Sequence, residues 1–193
     1  MQKVSLSLTA ALMIVSGVIG IGTGYWLTPE YSRSMYDKSA MDLGQPDRWV
    51  DLRYINAMIA HHEGALRLCG QVQSTVHPEL KSFAADILKT EPAAIAELYR
   101  YKKEWYHDQR TVQEPEVAHL GSYNNTLDLR LLNALIAHHE RGIRMSMEIR
   151  KKSSRSEILD HADRQELLLQ NDLQKLRKWR EAWYGVMDKA AMP

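Results

Sequence analysis

The feature that most limits what this chain can fold into is an internal duplication. Asp51–Arg67 reads DLRYINAMIAHHEGALR, and Asp128–Arg144 reads DLRLLNALIAHHERGIR, 77 residues later, with 11 of 17 positions identical. A repeat of this kind calls for two similar units that bury their apolar faces against each other. Each copy carries helical periodicity. In the first, Tyr54, Met58, His61, Ala65 and Leu68 form one stripe, with Ile55, Ile59, His62, Leu66 and Cys69 beside it. In the second, Leu131, Leu135, His138, Gly142 and Met145 lie beside Leu132, Ile136, His139, Ile143 and Ser146. This is the broad apolar face of a helix buried on one side, and both histidines of each pair fall within it.

A second helical pattern follows each copy. The first starts at Pro78, a natural first-turn residue, and runs through Leu80, Phe83, Ala84, Ile87, Leu88, Ile95, Leu98 and Trp105. Pro92 inside it is expected to kink or split it. The second is expected to be capped by Ser156 and runs through Ile158, Leu167, Leu168, Leu173, Leu176, Trp179 and Trp183. Alternating β-branched runs of comparable strength are lacking. The chain is therefore predicted to be all-α, with two αα-hairpins forming one four-helix bundle over 47–186. Repeat one is placed at 47–107, a linker at 108–125 and repeat two at 126–186.

Residues 4–27 contain no charged side chain. As a helix of about 1.5 Å rise per residue, that stretch would span a hydrocarbon core of about 30 Å. It is expected to be a hydrophobic helix serving as signal-anchor or signal peptide (1–28), followed by a tether (29–46). Lys3 before it and the Tyr25–Trp26 pair near its end favour an anchor with the bundle on the periplasmic side of the inner membrane. Lys+Arg is 25 and Asp+Glu is 24, a balance that argues against nucleic-acid binding by bulk basicity. One cysteine, Cys69, excludes an intramolecular disulfide framework and paired-cysteine zinc sites.

At the paired histidines the sequence resembles the bacterial domain-of-unknown-function family numbered three hundred and five. Its mark is a helix reading roughly Met-Ile-x-His-His-x-x-Ala-x-x-Met. The first copy supplies Met58, Ile59, His61, His62 and Ala65, with Leu68 in place of the last Met. The second supplies Ile136, His138, His139 and Met145, with Leu135 in place of the first Met and Gly142 in place of Ala. The resemblance implies two copies of the motif, a ferritin-like four-helix fold and export. Members include a cyanobacterial periplasmic protein that binds copper and silver.

Adjacent histidines point about 100° apart on a helix, so they do not form the usual i, i+4 chelate. They can instead face two neighbouring helices. His61, His62, His138 and His139 are the candidate metal ligands, with Met58 and Met145 as candidate thioethers and Cys69 on the same stripe as His62. Imidazole with thioether selects copper(I), or another soft metal, over magnesium or calcium. The alternative is a cell-envelope structural or interaction module whose histidines are hydrogen-bonding core residues. Glu63 with Arg67 and Glu140 with Arg144 read as i, i+4 ion pairs. His77, His107, His119 and His161 read as solvated, near helix ends or in linkers. An enzyme is not expected. A Glu-x-x-His, Glu116 to His119, falls in the linker, and phosphate loops, His-Glu-x-x-His and nucleophile elbows are missing.

Overall fold

The computed structural model describes residues 43–71, 75–121 and 126–185. The apolar segment 4–27, together with the methionines of the tether (Met35 and Met41) and of the C-terminal end (Met187 and Met192), lies outside the described residues. Among the described residues there are four helices and no strand: α1 Val50–Gly70, α2 Pro78–Tyr106, α3 Leu127–Ile149 and α4 Ser156–Tyr184. Also among them, no helix is long and apolar enough to cross a membrane. The closest packing is within the hairpins α1/α2 and α3/α4 and between the two histidine-bearing helices, α1 and α3.

α1 and α3 run antiparallel, which follows from who packs with whom. Residues before His61 on α1 (Tyr54, Ile55, Met58) share an apolar cluster with residues after His138 on α3 (Met145, Ile149). Residues after His61 (Ala65, Leu68, Cys69) share a second cluster with residues before His138 (Leu131, Leu132, Leu135). The histidines therefore form a polar layer between two dry halves of the core.

Helix ends differ in detail from the sequence expectation. Pro78 does open α2, but Pro92 does not split it, and α2 runs unbroken for 29 residues. Pro92 is on the exposed side, where the carbonyl it leaves unbonded reaches water. Ser156 does not cap α4. It is the first helical residue, and its hydroxyl donates to Glu157. Gly185 ends α4 in the left-handed region, whereas His107 takes that strained conformation at the end of α2.

The repeat reaches further upstream than the histidine motif. Leu43-Gly44 and Leu120-Gly121 are again 77 residues apart, and both glycines have positive φ (68° and 73°). In each copy the arginine of the Asp-Leu-Arg triplet donates back to this turn: Arg53 Nε to the Leu43 carbonyl (2.6 Å) and Arg130 Nε to the Leu120 carbonyl (2.5 Å). A side chain at φ near +70° would be strained, so glycine is what permits the turn. The triplet's aspartate ties the other hairpin. Asp128 accepts from the backbone N–H groups of Val76 (3.1 Å) and His77 (3.3 Å) before α2, and Asp51 pairs with Arg155 before α4 (3.4 Å).

Candidate metal centre

All four motif histidines are buried, between 2% and 7% exposed, and they meet where α1 crosses α3. His61 and His138, equivalent in the two repeats, stack with ring centres 3.9 Å apart and planes 4° from parallel. Gly142 makes the room. A Cβ there would lie 2.6 Å from Nε2 of His61 and 2.5 Å from a Leu169 methyl. A cleft of about 320 Å3 is lined by all four histidines, with Asp86, Glu91 and Asp172 among its other walls. On the opposite side of the seam, His61 and His138 also reach a pocket of about 110 Å3 beneath Pro115 and Val117 of the connection between hairpins.

The ring nitrogens are unevenly partnered. Nδ1 of His139 faces the Leu135 carbonyl at 2.8 Å, so it carries the hydrogen and donates. Nδ1 of His62 lies against a Glu91 carboxylate oxygen from α2. Three further positions are orphaned: Nδ1 of His61 and Nε2 of His62 and His138 are buried with no hydrogen-bond partner. Buried polar atoms are nearly always satisfied, and a cluster that is not suggests a ligand. Burial holds His61 and His138 well below the usual imidazole range, with neighbouring histidines adding to the effect, and lowers His139 as well. Neutral imidazole is the form that ligates metal. As they stand, no three His, Cys, Asp or Glu side chains among the described residues converge on one ion position. Stacked rings explain part of this, because lone pairs in parallel planes do not converge.

The soft residues sit apart from the imidazoles. Met58 and Met145 come together in one apolar cluster, both essentially unexposed. Cys69 lies in the other cluster, and burial, then Glu91, pushes its thiol up to about 12, so it remains a thiol at neutral pH.

Two residues that sequence reasoning did not select belong here. Glu91 reaches His62 as described. His161 is not solvated: it is 2% exposed on α4, its Nδ1 is 3.0 Å from the Tyr54 hydroxyl, and its Nε2 is orphaned. His77 is also not free in solvent, since its ring stacks on Trp183 and meets Asp128 at 2.7 Å. His107 and His119 are exposed, as expected. Arg67 pairs with Glu114 of the connection rather than Glu63, and Glu140 receives Arg177 of α4 at 2.8 Å.

Residues 51–126 match the family model of a domain of unknown function, DUF305. The DUF305 segment holds α1, α2 and the connection, which bears out the resemblance for the first repeat; the match does not extend over the second. No curated protein matches the chain. Among solved structures, the chain is similar to CopM in the Cu(I)-bound form at 24% identity, covering 70% of this chain and 98% of that one, with a TM-score of 0.62. CopM in the Ag-bound form by co-crystallization gives the same values, and the apo form a TM-score of 0.63. At that identity the likeness is one of fold.

Proposed function

We propose that this protein reversibly binds copper(I) or silver(I) on the periplasmic side of the inner membrane, for tolerance or trafficking rather than catalysis. The observation that carries this reading is the set of orphaned imidazole nitrogens on histidines that line one acid-rimmed cleft. The acidic side chains Asp86, Glu91 and Asp172 favour entry of a cation. His62 and His139, with Nδ1 engaged by Glu91 and by a carbonyl, each present Nε2. A carboxylate or carbonyl on the far nitrogen is the usual way a ligand histidine is oriented. Met58 and Met145 are the candidate thioethers on the adjoining side. CopM, of the same fold, has been solved with Cu(I), Cu(II) and Ag, which supports copper as the cargo. Residues 4–27 support an anchored or exported protein. Against an interaction module with core histidines stand the unpaired nitrogens, which a hydrogen-bonding role would satisfy.

The test is titration of the full-length chain with copper(I) against a competing chelator. The expected result is tight binding that is lost when His61, His62, His138 and His139 are all changed to Ala. If that variant unfolds, His62→Gln with His139→Gln replaces it. Affinity no better than millimolar, or affinity unchanged in a folded variant, overturns the reading.

A further inference from the structure

The two halves of the site have diverged, and the register of the repeat shows how. α2 and α4 are both 29 residues long and begin at Pro78 and Ser156, so they correspond at an offset of 78, one more than for α1 and α3. In that register Phe83 corresponds to His161 and Glu91 to Leu169, while Tyr54 corresponds to Leu131 at the offset of 77. The neighbours obey the same symmetry. Phe83 packs across the bundle on His139, with ring centres 6.0 Å apart. His161 packs across the bundle on His62, at 6.4 Å. Where the surroundings of His139 have Phe83, Leu169 and Leu131, those of His62 have an imidazole, a carboxylate and a phenol. Core positions gain polar groups at a cost, so three together around one histidine call for a reason.

Geometry separates the histidine pairs. The symmetric pair His61 and His138 is stacked and does not chelate in that arrangement. His62 and His161 stand nearly perpendicular, at 86°, and both Nε2 atoms are buried and orphaned. Two imidazoles sharing one ion through bonds of about 2 Å have ring centres roughly 5–6.5 Å apart, which brackets the observed spacing. His161 is neutral at physiological pH, because burial and then the neighbouring His62 hold it down to about 4.

We propose that His62 and His161 form a two-nitrogen site for one monovalent soft cation, with Glu91 holding the His62 ring in the Nε2-presenting tautomer and Tyr54 orienting His161. This rests on the metal-binding reading and makes the His62 side of the site, built from α1, α2 and α4, the primary binding side. A pair of nitrogens suits copper(I) and silver(I), whose filled d shells accept two ligands.

The probe is silver(I), added to the full-length chain labelled with nitrogen-15 in its histidines. One equivalent is expected to shift Nε2 of His161. His161→Phe, the residue the other repeat uses, is expected to weaken affinity at least tenfold while the thermal midpoint stays at or above that of the wild type. Glu91→Leu is expected to weaken it by about 10–100-fold, the usual effect of removing a partner of a metal-bound histidine. If silver binds and the four-histidine variant loses it, but the His161 signal is unmoved and His161→Phe binds normally, this proposal is overturned and the general reading stands. If the wild type binds no silver, both fall.

Discussion

Gly142→Ala tests the seat of His61 directly. In an unobstructed helix interior, Gly to Ala stabilises by about 1 kcal/mol. At Gly142 the new methyl would lie 2.5 Å from Leu169 Cδ1 and 2.6 and 2.9 Å from two atoms of the His61 ring. Ordinary contact needs about 1 Å more, so the ring must swing and its stack on His138 must open. Overpacking of this size costs about 1–3 kcal/mol. The net expectation is a loss of up to about 2 kcal/mol, or as much as roughly thirtyfold in the folding equilibrium. Gly70→Ala is the control, because nothing lies within 4 Å of its Cβ position, and it should gain up to about 1 kcal/mol. Gly64→Ala should fall between, with His138 Cε1 at 3.2 Å. Urea unfolding of the three variants, with an unchanged denaturant slope, measures the differences. If Gly142→Ala gains as much as Gly70→Ala, the close seating of His61 on α3 is refuted.

Acid should destabilise the fold through its buried histidines. His61, His138, His139 and His161 have folded-state values below the ordinary imidazole value of about 6.5, so between the two values the unfolded chain holds more protons than the fold. The stability His161 contributes is complete above about pH 6.5 and falls by about 1.4 kcal/mol per pH unit as pH drops toward about 4, and His61, His138 and His139 act in the same direction. Thermal midpoints from pH 8 to pH 4 should show this, with a shallower fall in His161→Phe; a flat profile contradicts neutral buried imidazoles. Cys69 should resist alkylation at pH 8 in the native protein and react readily in urea, as a buried thiol pushed up to about 12 requires. Asp128→Ala strands the N–H groups of Val76 and His77 and should cost about 1–3 kcal/mol in a urea melt. Loss within error would mean that water replaces the carboxylate.

Much of this is legible in the sequence. The stripes through Tyr54, Met58 and His61 and through Leu131, Leu135 and His138 place the histidines inside, and all four are inside. The Leu-Gly pairs at 43–44 and 120–121 carry the same offset and extend the repeat upstream. His161 was hidden by its place near a helix start. Glu91 sat among exposed residues before a proline, and its reach to His62 depends on how α2 packs on α1.

The helices, their duplication and the burial of the paired histidines follow from the order of residues, because 3.6-residue periodicity is a local property. Which imidazoles meet follows from packing between helices. The stack of His61 on His138 depends on the antiparallel crossing of α1 and α3 and on the bare Cα of Gly142. The pairing of His62 with His161 depends on the extra residue that moves α4 to an offset of 78. Both are contacts between helices far apart in the chain, where the register is set by packing and not by neighbours in sequence.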